Sequence, residues 1–445
     1  MIYNDENTYT DLIFNDPCID LFYNTGDSYA QSNKLRVLSL FSGCGGMDIG
    51  FEGGFICHKK SVGKNLDWVN KNVNENWVLL KDTKFQTIFA NDILEEAQKA
   101  WLSYMKRRNV DPNIYHLESI VNLVKLHQSG MKVFPSNVDV VTGGFPCQDF
   151  SVAGKRKGFE SETNHNGKKQ NSSIASEETR GKLYYWMKQV IEIVKPKIFI
   201  AENVKGLASL GDVKETIQND FAAADGDGYL VLSPKILNSA NYGVPEMRER
   251  IFFIGLRKSA LTKKALEVFS SNDIDTNWDL YPAPTHNYNL NDYTLLQPVT
   301  CKDVFSYLQE PTDSKDPSQQ NYSKAKFMGR HCQGQTEINL YSVGPTIRSE
   351  HHGNIEYRRL SQENGGKYIE ELSSGLIERR LTPRECALIQ TFPPDFPFVQ
   401  PKDGGKSKFY LSPSGAYKVI GNAVPPILGY HIANRIQTLW PKIFK

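Results

Sequence analysis

The stretch Gly143-Gly144-Phe145-Pro146-Cys147-Gln148-Asp149-Phe150-Ser151 constrains this chain more than any other. It follows an apolar run from Val138 to Val141, whose β-branched residues, bounded by Asn137 and the two glycines, read as a buried strand. Cys147 therefore falls just past a strand end, where open α/β sheets keep their chemistry. Pro146 fixes φ and removes an N–H, while the paired glycines allow a tight turn and the close approach of a ligand. A free cysteine in a turn more often packs as a small apolar residue, so a reactive role for Cys147 depends on whether other stretches fit the same chemistry.

Several do. Leu35 to Phe41 is strand-like and feeds into Ser42-Gly43-Cys44-Gly45-Gly46, after which Met47-Asp48-Ile49-Gly50-Phe51 resumes helical apolar spacing. A strand, a glycine-rich turn and a helix start present backbone N–H groups to a nucleotide-like ligand, although the pattern is not the G-x-G-x-x-G of dinucleotide binding. An acidic residue ending the next strand suits the ribose hydroxyls, and Asp92, after the run Phe85 to Ala90, supplies it. It comes later than the usual about 20 residues past the glycines, so Lys59 to Lys84, polar and rich in Asn and Lys, reads as an insertion. Leu183 to Val194 has the spacing of an amphipathic helix, and Lys197 to Ala201 reads as a buried strand ending at Glu202-Asn203-Val204. A carboxylate there serves as an acid/base, a ribose ligand or a structural ion pair. Arg248 and Arg250 precede the strand-like run Ile251 to Ile254, and alternation places them on one face.

At 445 residues two domains are expected. The net charge of +2 does not announce a polyanion partner, so positive charge for a nucleic acid has to be concentrated locally. One such place follows Cys147: Val152 to Lys182 carries Lys155, Arg156, Lys157, Lys168, Lys169, Arg180 and Lys182 against four glutamates. Rich in Gly, Ser and Asn and without periodicity, it reads as a surface loop. Met1 to Gln31 holds six acidic residues and no Lys or Arg, and reads as a solvated arm. Seven cysteines without C-x-x-C spacing suggest neither a disulfide framework nor zinc. No apolar run reaches the about 20 residues needed to span a bilayer, so a reduced, soluble, intracellular protein is expected.

From about Leu256 to Gly375 the composition shifts to Asn, Tyr, Pro and Ser with many turn formers, which reads as a second, smaller, β-rich domain with nearly balanced charge. His351 and His352 lack a further ligand at metal spacing, so no metal is expected. Arg380-Leu381-Thr382-Pro383-Arg384-Glu385 is a helix start, with Thr382 as N-cap, Pro383 first and Glu385 closing a capping box. The helix should run to about Gln390. Ala416 to Pro426 then leads into a last amphipathic helix through about Leu439.

The Pro-Cys stretch resembles the nucleophile motif of the DNA (cytosine-5)-methyltransferases, and the likeness extends in order to Leu35–Phe55, Ala201–Gly206, Asn241–Gly255, Arg379–Phe396 and Ala416–Pro426. The resemblance implies an α/β fold, a Rossmann-like S-adenosylmethionine-dependent methyltransferase domain with a mixed sheet plus a smaller β-rich target-recognition domain. It divides the chain into an acidic extension (1–34), a catalytic and cofactor-binding part (35–257, completed by 416–445) and a recognition part (258–415). It implies Cys147 as nucleophile, Glu202 on the base, Arg250 on the target and Arg248 on the surrounding frame. S-adenosyl-L-methionine is the implied cofactor, with Phe41 beside the adenine and Ser42, Gly43, Cys44, Gly45 and Gly46 around the methionine part. Asp92, Ile93, Glu118, Ser119, Pro146, Leu183, Asn422 and Ala423 complete its implied binding set.

This sequence departs from the family pattern at Glu118-Ser119, where Asp-Ile is usual, and at Glu246, where Gln is usual. The loop after Cys147, with Lys155, Arg156 and Lys157, is implied to close over double-stranded DNA; Arg348, His351, His352 and Gly353, a guanidinium, two imidazoles and a glycine that can reach base edges, are expected to form part of the DNA-recognition surface. A monomer acting in a bacterial cytoplasm near the nucleoid, with a possible cognate restriction endonuclease, is expected. The same chemistry on transfer RNA, or a silent nucleotide-binding regulator, are the alternatives.

Overall fold

The computed structural model describes residues 33–146, 183–209, 213–271, 273–349, 354–402 and 408–445. Its centre is an eight-stranded sheet of β1 (Leu35–Leu40), β2 (Phe85–Asp92), β3 (Tyr115–Leu117), β4 (Val140–Gly144), β5 (Ile198–Val204), β6 (Tyr229–Val231), β7 (Lys235–Asn238) and β8 (Glu249–Arg257). The strands lie in the order β7-β8-β5-β4-β1-β2-β3, with β6 also on β8. Strands β5, β4, β1, β2 and β3 are mutually parallel, and β8 runs antiparallel to β5, β6 and β7, so the sheet is mixed as expected.

The continuous apolar runs are explained by cover on both faces, which parallel sheets require. Val37, Val140, Ile198, Ile200, Phe252 and Ile254 point to one face, under α1 (Gly46–Glu52) and the C-terminal helix α8 (Pro426–Ile443). Their strand neighbours Leu38, Val141, Phe199, Ala201, Ile251 and Phe253 point to the other, under α3 (Ile120–Gln128), α4 (Leu183–Val194) and α5 (Val213–Ala222). Between β2 and β3, α2 (Glu95–Met105) packs Trp101 and Tyr104 into a further core. Helices α1 and α8 meet at glycines: a Cβ on Gly50 would lie 2.5 Å from Pro426 O and 2.8 Å from Gly429 Cα.

Strand β4 starts two residues later than the apolar run and includes both glycines of the Pro-Cys stretch. The segment expected to be an insertion contributes to an antiparallel sheet of Ile56–His58, Val69–Asn72 and Trp77–Leu80. It is anchored where Trp77 meets Tyr307 edge-on at 5.2 Å and Lys60 pairs with Asp303 at 2.7 Å.

After β8 the chain forms short helices and two small ladders, Tyr357–Arg359 with Arg379–Arg380 and Gln400–Pro401 with Phe409–Leu411. Helix α6 (Pro383–Ile389) starts with the anticipated capping box: Thr382 Oγ1 accepts from Glu385 N at 3.0 Å and Glu385 Oε2 from Thr382 N at 2.9 Å. The chain then returns to the large sheet through α7 (Pro413–Asn422), capped by Ser412, and α8. The stretch from Ala416 to Gly421, expected to lead into a helix, is thus itself helical.

Candidate active site

Two clusters lie at the carboxyl ends of the parallel strands. The first follows β1. Phe41 adopts φ 52°, Gly43 56° and Gly45 86°, a left-handed path that glycine takes without strain. The loop is stitched to the end of β2, since Ser42 N donates to Asn91 O at 2.8 Å and Asn91 N to Ser42 Oγ at 3.0 Å. Asp92 Oδ2 accepts from Gly43 N and Oδ1 from Leu94 N, both at 2.9 Å. Burial raises its pKa, against the main-chain N–H groups that lower it. A carboxylate offers about four acceptor sites, so Asp92 can brace the glycine loop and still receive a diol. Ile93 and, opposite Asp92 in β3, Leu117 are 42% and 39% exposed, apolar surface at the strand ends that suits a flat ring.

Other anticipated positions sit differently. Cys44 is buried, donates to Val419 O at 3.3 Å and has its thiol pushed up by burial, so only its backbone can face a ligand. Gly46 lies under the C-terminal segment, where a Cβ would be 2.2 Å from Val424 O and 3.1 Å from Ala423 Cβ. Ala423 is buried beside it and Asn422 is exposed. Leu183 is a core residue at the start of α4. Glu118 is exposed and turns its Oε1 back to Ser119 N at 2.7 Å and Asn122 Nδ2 at 2.9 Å, while Ser119 is buried.

A buried support beneath the loop was not anticipated. Asp48 accepts from Ser39 Oγ at 2.6 Å and from Trp101 Nε1 at 2.8 Å, and Ser42 Oγ donates to Ser39 Oγ at 2.9 Å. Its signal in the sequence was only an acid in the first helical turn after the glycines.

The second cluster joins β4, β5 and β8. Gly144 stands opposite Glu202 in the parallel ladder, and a Cβ there would lie 2.9 Å from Glu202 Oε2. Asn203 Nδ2 donates to Phe145 O at 3.2 Å and holds the chain as it leaves the strand towards the half-buried Pro146. Glu202 is 7% exposed, and its Oε1 pairs with Arg250 Nε at 3.0 Å. Burial drives its pKa up, opposed by Arg250 and Arg248, with a net rise. A shift towards the neutral form suits a carboxyl that takes part in proton transfer. Cys147, Lys155, Arg156, Lys157, His351, His352 and Gly353 lie outside the described residues.

Two further arginines are held by other parts of the chain. Arg248 lies one residue before β8, is fully buried, and donates to Ile347 O at 3.2 Å and Gly421 O at 3.0 Å. It belongs to the frame, because two distant backbone segments converge on it. Arg348, expected at bases, has its Nη1 on the buried Glu356 carboxylate at 2.8 Å.

Comparison with known proteins agrees with this arrangement. The family model described as C-5 cytosine-specific DNA methylase matches residues 35–438. Type II methyltransferase M.BspRI of Lysinibacillus sphaericus is 31% identical over 419 residues, covering 91% of this chain and 82% of the relative. Type II methyltransferase M.BsuRI of Bacillus subtilis is 31% identical over 424 residues, covering 91% and 80%. Among solved structures, S. pombe Dnmt2 methyltransferase superposes with a TM-score of 0.51 at 15% identity over 91% of this chain and 99% of that one, a likeness of fold. A glycine loop braced by an acid, a buried Glu-Arg pair at the next strand ends and a match spanning nearly the whole sequence converge: the chain belongs to the C-5 cytosine-specific DNA methylase family.

Proposed function

We propose that this methyltransferase acts on C5 of a cytosine in a specific sequence of double-stranded DNA, with S-adenosyl-L-methionine as donor and Cys147 as nucleophile. The observation that carries the reading is the buried Glu202-Arg250 pair, set against Gly144 three residues before Cys147. Cytosine C5 is a weak nucleophile, and covalent catalysis divides the difficult step. The Cys147 thiolate adds to C6 while Glu202 supports a proton at N3, which places electron density on C5. Bound at the glycine loop, S-adenosylmethionine supplies the methyl group. The C5 proton then leaves and Cys147 is eliminated. Arg250 orients Glu202 through its Nε, while its Nη1 donates to Glu249 O at 2.9 Å. A cytosine inside a duplex is out of reach, so it must leave the stack at a cost of a few kcal/mol.

The Asp92 carboxylate, the exposed Ile93 and Leu117 and the positive-φ glycines fit a nucleoside with a charged tail. Residues 258–415 serve as the recognition part, and the Type II names of the relatives support a modification role beside a restriction endonuclease. No helix among the described residues is long and apolar enough to cross a membrane. The intact Cys147, Glu202 and Arg250 favour catalysis over a silent regulator.

DNA carrying 5-fluorocytosine at the target should become covalently attached, because fluorine cannot leave as the proton does. Cys147→Ala should abolish the adduct, and an adduct persisting in that variant removes Cys147 from the mechanism. Glu202→Gln should lower turnover by about 10²-fold or more with little change in cofactor affinity. A collapse of cofactor affinity with turnover intact would instead make Glu202 a cofactor ligand.

A further inference from the structure

The strand carrying Arg250 is preceded by Pro245-Glu246-Met247-Arg248, and this stretch pairs with a segment distant in sequence, Gly344 to Ile347. Gly344 N donates to Pro245 O and Met247 N to Gly344 O, both at 2.8 Å, and Thr346 Oγ1 donates to Met247 O at 2.5 Å. Side chains complete what the backbone begins. Glu246 Oε1 accepts from Ile347 N at 2.6 Å, and Arg248 Nη1 donates to Ile347 O at 3.2 Å. Both polar groups of Ile347 are thereby held by residues two apart in the chain. Arg248 Nη2 reaches on to Gly421 O at 3.0 Å, and a Cβ on Gly421 would lie 2.1 Å from Arg348 O, so the three segments are locked together.

Glu246 and Arg248 are 0% and 1% exposed. A buried Glu and Arg are a costly way to join segments that apolar contacts could join. Unlike apolar contact, they specify a register: they fix Ile347 against the stretch that, two residues after Arg248, sets Arg250 on Glu202.

We propose that Glu246 and Arg248 form a clasp on Ile347 that holds the segment leading to Arg348 in register with the Arg250-Glu202 pair, which makes Glu246 a positioning residue for target selection. The inference rests on the reading of the site as a DNA cytosine methyltransferase. Selection of a sequence and seating of the base use different parts of the chain, and a rigid tie lets a correct fit at one become correct geometry at the other. Burial pushes the Glu246 carboxyl up to about 7, against Arg248, the Ile347 N–H and Arg250, which lower it, while Glu356 raises it. Glu246 Oε2 has no hydrogen-bond partner among the described residues. The bond to Ile347 needs an acceptor at Oε1, and Arg248 Nη1 lies 3.9 Å from the same oxygen. Gln supplies that acceptor and Ala does not.

Hydrogen exchange and methylation test the two halves of the idea. Glu246→Ala should speed exchange of the Ile347 amide by about tenfold or more, leaving the amides of β5 unchanged, and Glu246→Gln should stay close to the parent protein. In methylation of the recognised site and each single-base variant of it, Glu246→Ala should lose about tenfold in kcat/KM at the recognised site and less on the variants, so discrimination narrows. Glu246→Gln should keep that discrimination. If Glu246→Ala does not fold, Thr346→Val, which removes one hydroxyl bond from the same pairing, should act in the same direction with smaller size. Equal losses on every duplex, unchanged exchange at Ile347, or a Gln variant as impaired as the Ala variant would each overturn the clasp. A parent protein that methylates no duplex would sink the functional reading instead, and the exchange comparison would still decide whether the clasp exists.

Discussion

The large sheet and the region around α6 have interiors of opposite character. Under the sheet, Val37, Val140, Ile198, Ile200, Phe252 and Ile254 meet Leu428, Ile432 and Ile436 with no polar partner to satisfy. Around α6, four arginines are taken out of water: Arg359, Arg379, Arg380 and Arg384. Arg379 pairs with Glu310 at 2.8 Å and Glu385 at 2.9 Å, Arg359 with Glu310 at 2.9 Å and Glu371 at 2.6 Å, and Arg384 with Asp316 at 2.6 Å. Arg380 donates to Ala325 O and Gly334 O, both at 2.9 Å. Apolar burial is non-directional and tolerates repacking. A buried guanidinium recovers its desolvation penalty only when its partners are all in place. The difference teaches how loops with little regular structure are fixed: bonds from side chains to carboxylates and carbonyls replace the ladders that hold the sheet.

The largest expected effect breaks the polar interior. Arg379→Met leaves Glu385 and Glu310 facing a thioether, and urea unfolding should show a loss of about 3–5 kcal/mol. A loss below about 1 kcal/mol, the scale of a surface pair, would erase the contrast between the regions.

Two buried carboxyls, one beneath the glycine loop and one beside α6, should also answer pH with opposite sign. Burial raises the Asp48 carboxyl from 3.8 to about 6, against the bonds from Ser39 and Trp101. The native state then holds that proton more tightly than the unfolded chain. Stability should fall as pH rises from about 4 through 6, by about 3 kcal/mol in all. Melting temperatures of Asp48→Asn should be flat across that window where the parent declines. Burial alone would raise Glu310, but Arg379 and Arg359 bring it from 4.5 down to about 2. Its contribution should be complete above 4.5 and disappear as pH falls towards 2. Glu310→Gln should therefore lose its deficit relative to the parent at the acid end, and a deficit that persists there would show that shape rather than charge holds the cluster.

At the rim of the sheet, Asp92→Ala should weaken S-adenosylmethionine binding by about 1.5–3 kcal/mol, the range for a charged hydrogen bond lost. Calorimetry reads this directly, and unchanged affinity would assign the ribose to another group. The smallest effect belongs to the apolar interior. Ile200→Val should cost about 1 kcal/mol in urea unfolding, and a cost matching that of Arg379→Met would show the sheet to be as exacting as the ion pairs.

Local chemistry was legible in advance. The strand ending at Asp92, the glycine turn after β1, helix α4, the Thr382 capping box and the strand bearing Glu202 each depend on residues close in sequence. Arg248 and Arg348 were less so. The family likeness placed Arg248 on the frame, but the two backbone carbonyls it bonds lie about a hundred or more positions away and could not be read from its neighbours. The partner of Arg348, Glu356, lies beyond His351, His352 and Gly353, so their ion pair is not visible in the stretch around Arg348. Glu246 was visible only as an unusual residue at its position, and its bond to Ile347 N belongs to the tertiary structure.

By itself the sequence determined which runs become strands and where the glycines end them, and hence that Asp92 and Glu202 fall at strand ends. Those outcomes follow from β-branching, apolar period and backbone freedom, which act over a few residues. Only the tertiary structure decided which carboxyls are pushed up and which are held down, and which arginines pair with a carboxylate and which are consumed in the frame. Burial and ion pairing depend on segments far apart in the chain, and the same Arg or Glu is solvated, paired or catalytic according to what the fold sets against it.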